Sequence, residues 1–359
     1  MKKILIIFGT RPEAIKMAPI VKALKSESAF DIRVCVSAQH REMLDSVLSS
    51  FDITPDYDLS IMKQGQTLSY ITNEVMSGLS TVTEEFHPDM IMVHGDTTTA
   101  FAGALFAFYN HITLLHVEAG LRSSDIHSPF PEEMNRRVIS LLANIHFAPT
   151  KEAVQNLKKE NVPEERIFLV GNSVIDAMQL SESLECSVEL PSSPYFLLTI
   201  HRREHTDEEI LSAFRAVRRI CVEQPSLFAI YPIHKNPRFL RLFEQVLGDI
   251  ENIKLCNALP VEEFHKLLRG CRFVLTDSGG IQEEAAYLGK PVLVLRDNTE
   301  RPEGERLGTL RLVGCEENNV YVNIKRLLDN DEYARVAIPC YDYGNGSTST
   351  KIVEILKSI

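Results

Sequence analysis

Short apolar runs of strand-like composition alternate with helix-length amphipathic segments from end to end of this chain, and that alternation leaves few folds open. In the first half the runs are Lys3–Phe8, Arg33–Ser37, Met90–His94, Thr113–Val117, Ile145–Ala148 and Ile167–Val170. Runs that are apolar on both faces suit parallel strands covered by helices on both sides. Between the first two, Glu13–Lys25 carries Ile15, Ala18, Ile20, Val21 and Leu24 at helical spacing. The segment Glu182–Pro194, with two prolines and several polar residues, breaks the rhythm and reads as a linker. The pattern restarts with Tyr195–Ile200 as a strand and Glu208–Val222 as a helix. Leu227–Tyr231, Ile253–Cys256, Arg272–Thr276 and Pro291–Leu295 follow as strands. The expectation is α/β: two doubly wound domains, split near residue 180. A length of 359 residues agrees with two domains at roughly 150 residues each.

The formal charge of −11 makes nucleic acid a poor partner, since phosphate backbones are gripped by basic surfaces. An anionic nucleotide remains acceptable, because backbone N–H groups at a helix start can hold phosphate whatever the total charge. The seven cysteines are scattered without a C-x-x-C pair, which indicates neither a zinc site nor a disulfide framework. The run Ile4–Phe8 is too short for a signal peptide core and reads as a buried strand. No stretch approaches the roughly 20 apolar residues of a membrane span. A cytoplasmic location is expected.

In open parallel sheets ligands bind beyond the carboxyl ends of the strands, and polar residues collect there in this sequence. Gly9-Thr10-Arg11-Pro12-Glu13 turns from a strand into a helix. It is either a plain turn or a place where Arg11 meets a diphosphate. Asp96, after Met90–His94, is either a helix cap or an acid of the site. Glu118, after Thr113–Val117, is either ion-paired with Arg122 or chemically active. Glu132 and Glu133 open a helix whose positive end suits them. Asp96, Glu118 and Glu132 nonetheless share one rim, and converging carboxylates suit acid–base work. In the second half His201 and Arg202 follow one strand, and His234 follows another. Asp277-Ser278-Gly279-Gly280 leads into the helical segment Ile281–Leu288, which carries Glu284. Glycines at a helix start let the backbone approach a phosphate, and an acid one turn on suits ribose hydroxyls.

The strings FGTRPEAIKMAP (8–19), AQHREML (38–44), HGDTTT (94–99), HVEAGLRS (116–123), PFPEEMNR (129–136), HRRE (201–204), DSGGIQEEA (277–285) and LRDNTERPE (295–303) together resemble the non-hydrolysing bacterial UDP-N-acetylglucosamine 2-epimerases. The resemblance spans nearly the whole chain. It implies two Rossmann-like domains in the glycosyltransferase-B arrangement, with the active site in the interdomain cleft. Residues 1–180 would form the acid–base domain and 181–345 the UDP-binding domain, with a helix in 346–359 packing back on the first. A homodimer is implied, as is a role in cell-surface polysaccharide (capsule) biosynthesis. By position, Asp96, Glu118, Glu132 and His201 match the family's catalytic residues. Arg11, Ser278, Gly279, Gly280 and Glu284 match UDP-binding positions. Gln39, His40, Gln66, Arg202 and His234 match positions that take a second UDP-N-acetylglucosamine as allosteric activator, and Glu132 adjoins them. The chain departs from the pattern at His205-Thr206-Asp207-Glu208, where a glycine usually follows HRRE, and at Tyr341-Asp342-Tyr343-Gly344, which replaces Asn-Pro-Tyr-Gly.

The implied reaction inverts C2 of UDP-N-acetylglucosamine to give UDP-N-acetylmannosamine. The C2 proton is not adjacent to a carbonyl, and no dinucleotide fingerprint is present. Loss of UDP to 2-acetamidoglucal and its re-addition therefore fits best, with no cofactor and no metal expected. A hydrolysing relative releasing N-acetylmannosamine and UDP is the nearest alternative. A retaining glycosyltransferase and a non-catalytic nucleotide-sugar sensor are the others.

Overall fold

The computed structural model describes residues 1–359 except His40, Ser124, Arg203, His234, Lys235 and Glu300, and the side chain of Glu42. The chain divides into two compact units, Met1–Ser181 with Asp342–Ile359, and Glu182–Tyr341. Each is built on one all-parallel sheet, as the doubly apolar runs require.

The first unit has seven strands, β1 (Lys2–Phe8), β2 (Phe30–Val36), β3 (Tyr57–Asp58), β4 (Met90–His94), β5 (Thr113–Val117), β6 (Ile145–Ala148) and β7 (Ile167–Leu169), in the order 3-2-1-4-5-6-7. The second has six, β8 (Tyr195–Thr199), β9 (Phe228–Pro232), β10 (Ile253–Cys256), β11 (Val274–Thr276), β12 (Val292–Val294) and β13 (Leu310–Leu312), in the order 10-9-8-11-12-13. The first six strands of each unit therefore follow one plan. Its order reverses between β1 and β4 in the first unit and between β8 and β11 in the second. In such sheets that reversal opens a crevice for ligand.

Central strands are buried on both faces: Ile4 to Phe8 of β1 and Phe196 to Leu198 of β8 are all 0% exposed. In the first unit the helices Leu68–Phe86 and Thr98–Tyr109 pack Ile71, Val75, Leu79 and Ala102 on Leu5, Ile7 and Ile91. In the second, Phe214, Tyr231 and Phe243 form a cluster of tilted and edge-on rings between Asp207–Glu223, β9 and Pro237–Val246. Such ring pairs contribute about 1 kcal/mol each beyond their buried area.

The last helix, Thr348–Ser358, belongs to the first unit and packs on the helix Arg11–Lys25. Asp176 caps it, accepting hydrogen bonds from the Thr348 and Ser349 backbone N–H groups at 3.2 and 2.8 Å. Just before it, the chain crosses Gly171 so closely that a β-carbon there would lie 2.9 Å from Thr348 Oγ1 and 3.1 Å from Gly344 Cα. The φ angles of Gly171 and Gly344, +97° and +119°, also call for glycine. No helix of the described residues is long and apolar enough to cross a membrane.

Candidate active site

At the reversal in the first unit, the loops after β1 and β4 are fastened together by one buried acid. Glu13 Oε2 accepts the backbone N–H of Gly9 at 3.1 Å, that of Thr10 at 2.9 Å and the Thr10 hydroxyl at 2.8 Å. Its Oε1 accepts the Thr97 hydroxyl at 2.8 Å. Burial is the largest influence on Glu13 and pushes its carboxyl up to about 7 against those hydrogen bonds. Gly9 is needed for the same closeness, since a β-carbon there would stand 2.0 Å from Ser37 Oγ.

Asp96 and Glu118 follow the neighbouring strands β4 and β5 on this rim, and the helix that begins at Glu132 is tied to the Asp96 loop. Asp96 is not the cap of its helix. Thr97 holds that role, accepting from Ala100 N at 3.0 Å. Asp96 Oδ2 instead takes Nε of Arg136 at 2.9 Å and also its Nη2, while its backbone carbonyl accepts Asn135 Nδ2 at 2.8 Å. Asn135 and Arg136 lie in the helix Glu132–Leu142, so these bonds tie the start of that helix to the Asp96 loop. Glu132 is its first residue and half-buried. Its neighbour Glu133 is fully buried and structural, bound to Arg137 Nε at 2.7 Å, Arg136 Nη1 at 3.2 Å and Ser123 N at 2.9 Å.

Glu118 follows β5 with a φ of +62°, a left-handed backbone that costs a non-glycine residue about 1–3 kcal/mol. Its partner is not Arg122, which turns away to Glu160 at 2.7 Å. Glu118 Oε2 is bonded by Lys16 Nζ and by Asn172 Nδ2, the latter at 2.7 Å, with His94 Nε2 3.9 Å away. Burial pushes His94 down to about 4 against the attraction of Glu118, so the ring is neutral at pH 7. Burial likewise takes His116 to about 3 and His146 to about 4. Arg11 is the first residue of its helix and half-buried on the same rim.

Gln39 and Gln66 are also brought together, with Gln66 Nε2 donating to the Gln39 carbonyl at 3.0 Å and Thr99 Oγ1 bonding Gln39 Oε1 at 3.2 Å. His40 and His234, expected beside them, lie outside the described residues.

In the second unit the loops after β8 and β11 are joined by Asp277. Its Oδ2 accepts the backbone N–H groups of His201 and Arg202, both at 2.8 Å, and Oδ1 stands 2.9 Å from His201 Nδ1. Burial raises the Asp277 carboxyl, but the His201 ring and the two N–H groups outweigh it and hold the acid below its ordinary range. The His201 side chain is 44% exposed beside this buried acid. Arg202 Nε donates to the Asp277 carbonyl at 2.9 Å and Nη1 meets Glu204 at 2.8 Å. The residue that departs from the usual glycine-bearing loop, His205, packs with Nε2 3.7 Å from Asp277 and Nδ1 3.8 Å from Cys315 Sγ.

Ser278 stands at the N-cap position of the helix Gly279–Tyr287, whose first residues are Gly279 and Gly280. A β-carbon on Gly279 would strike Arg301 Nη1 at 2.6 Å, whereas Gly280 faces open space. Arg301 is itself pinned by Glu283 at 2.6 Å. Glu284 is 7% exposed, and its Oε2 has no hydrogen-bond partner among the described residues, an acceptor suited to a hydroxyl. The start of the helix offers N–H groups and positive potential to an anion.

Residues 22–357 match the UDP-N-acetylglucosamine 2-epimerase family. The UDP-N-acetylglucosamine 2-epimerase of Bacillus subtilis (strain 168) is 48% identical over 359 residues, covering 99% of this chain and 94% of that one. This chain belongs to that family. A UDP co-structure of S. aureus MnaA superposes with a TM-score of 0.93 at 47% identity, covering 100% of this chain and 96% of that one. The UDP-GlcNAc 2-epimerase from Neisseria meningitidis, bound to UDP-GlcNAc, gives 0.94 at 42% identity, covering 99% and 100%.

Within this member of the UDP-N-acetylglucosamine 2-epimerase family, the sequence reading missed Glu13, Lys16, Arg136, Asn172 and Asp277. Glu13 could have been found, because Thr10 followed three residues later by Glu is a capping-box signature. Nothing in the local sequence ties Lys16 or Asn172 to an acid 102 or 54 residues away.

Proposed function

We propose that the protein interconverts UDP-N-acetylglucosamine and UDP-N-acetylmannosamine by eliminating UDP to 2-acetamidoglucal and adding it back. What supports this reading is the placement of Asp96 and Glu118 after neighbouring strands, each tied to a cation, with Glu132 opening the helix bound to the Asp96 loop. Inversion needs proton exchange on both faces of C2, so one acid is not enough. In the forward direction the C1–O bond breaks, its electron pair leaves on the UDP oxygen, and a carboxylate removes the C2 proton as C1=C2 forms. On return the diphosphate oxygen attacks C1 and another acid delivers a proton to the opposite face.

Arg11, Gly279 and Gly280 would hold the diphosphate, Ser278 would set the helix start, and Glu284 would accept the ribose hydroxyls. His201, with its ring fixed by Asp277, is placed to give and take a proton at the leaving oxygen. Gln39, Gln66 and Arg202, with His40 and His234, would take a second UDP-N-acetylglucosamine as activator. Working as a cytoplasmic homodimer completes the reading. Light scattering that gave a monomer would remove the dimer alone.

The test is proton NMR of UDP-N-acetylglucosamine with the enzyme in deuterated water. Growth of UDP-N-acetylmannosamine with deuterium at C2 and no free hexosamine is expected. Free N-acetylmannosamine with equimolar UDP would replace this reading with the hydrolysing one. A hyperbolic rate curve, unchanged in Arg202→Ala, would remove the activator site.

A further inference from the structure

The chain that returns to the first unit does more than cover it. Asn172 stands at the end of the β7 loop, 2% exposed, and hydrogen bonds from its backbone and from both ends of its side chain fix it. Its backbone N–H donates to the Tyr343 carbonyl at 2.7 Å, a short bond to the returning C-terminal segment. Its Oδ1 accepts Val174 N at 3.1 Å, at the start of the helix Ser173–Ser181. Its Nδ2 donates to Glu118 Oε2 at 2.7 Å. Backbone and carbonyl oxygen are thus both used to aim one N–H at one carboxylate oxygen.

We infer that Asn172 is a positioning residue for Glu118, and that the segment around Tyr343 and Gly344 is part of the active site because it sets Asn172. This rests on the epimerase reading above. Glu118 sits on a left-handed backbone that nothing about the residue itself favours, so its side chain depends on outside partners for a single orientation. Two donors converge on the same oxygen. Lys16 supplies the charge, and Asn172 supplies a direction that a flexible lysine cannot. The close crossing of Gly171 and Gly344 brings the Tyr343 carbonyl within reach, and a β-carbon on Gly344 would press to 3.3 Å from Asn172 N. Replacement of the family's usual Asn-Pro-Tyr-Gly by Tyr341-Asp342-Tyr343-Gly344 keeps the Tyr-Gly pair that makes this contact.

The experiment compares wild type, Asn172→Ala and Asn172→Asp for kcat, KM, pH profile and thermal unfolding. Asn172→Ala is expected to lose roughly tenfold to a hundredfold in kcat with KM within about twofold, the scale seen for groups that orient a metal ligand. Asn172→Asp keeps the shape and the Val174 bond but sets a second carboxylate against Glu118, beside Lys16 of the first helix and His94 of β4. Like charges disfavour joint ionisation, so its kcat profile should shift its acid limb to higher pH while the unfolding midpoint stays near wild type. Wild-type kcat in Asn172→Ala, or an unshifted profile in a folded Asn172→Asp, overturns the inference. A wild-type enzyme that leaves UDP-N-acetylglucosamine untouched overturns the epimerase reading itself and this inference with it, and is recognised before any variant is made.

Discussion

The reversal points of the two sheets solve one problem in opposite ways. In the first unit the fastening acid, Glu13, comes from the first turn of the helix after the first strand and reaches across to Thr97. In the second, Asp277 comes from the loop after the fourth strand, β11, and reaches back to His201 and Arg202. Both carboxylates are buried and both accept several hydrogen bonds. Glu13 nonetheless is pushed up to about 7, whereas Asp277 is held below its ordinary range. The difference lies in the donors. Glu13 receives only neutral N–H and O–H groups, which offset part of the desolvation cost. Asp277 has the His201 ring 2.9 Å away, and that ring with the two backbone N–H groups outweighs burial. Burial sets the penalty, and the charge of the partners decides whether the anion survives it.

The largest effect should come from removing the ionised acid. Asp277→Ala strands the His201 and Arg202 N–H groups and is expected to lower stability by about 3 kcal/mol, seen as a drop in the thermal unfolding midpoint. An unchanged midpoint would break the contrast with Glu13. Comparable in size is the pH response of Glu13. Its folded value of about 7 exceeds the ordinary 4.5, so the folded state holds the proton more tightly. Stability from this group is therefore full below pH 4.5 and falls as pH rises to about 7, by on the order of 3 kcal/mol. Glu13→Gln, which keeps the acceptor, should flatten that slope between pH 5 and 8 in unfolding midpoints; parallel curves would argue against a buried proton. Asp277 has the opposite sign, its contribution present above the usual carboxylate range and lost as pH falls through its lowered value. The smallest expected effect is from Thr97→Ala, about 1 kcal/mol from the lost helix cap, with Thr97→Ser restoring it.

Apolar runs revealed nearly every strand, because a buried parallel strand must be apolar on both faces. Met90–His94, Thr113–Val117, Ile145–Ala148 and Ile253–Cys256 match their expected limits residue for residue. The sequence reading missed β3 and β13, which have two and three residues and too little apolar length to stand out. Candidate acids were legible from their place after strands, since topology puts strand ends on one rim. Their partners were not. Local spacing suggested Arg122 for Glu118 and a capping role for Asp96, but Lys16 and Arg136 win because folding brings together segments that the sequence keeps far apart. The Glu13 case differs: its capping signature was in plain view, and only burial, invisible in a local window, turns that cap into a titrating group.

Because Asp342–Ile359 completes the first unit, that unit is interrupted in sequence by the whole of the second. During synthesis the second unit, being continuous, can close its sheet as soon as Tyr341 has cleared the ribosome. The first must wait with Gly171, Asn172 and one flank of the helix Arg11–Lys25 uncovered until the last helix arrives. A stalled or truncated nascent chain should therefore yield a folded second unit beside an unfinished first one, with the proposed acids present in sequence but not yet set in place.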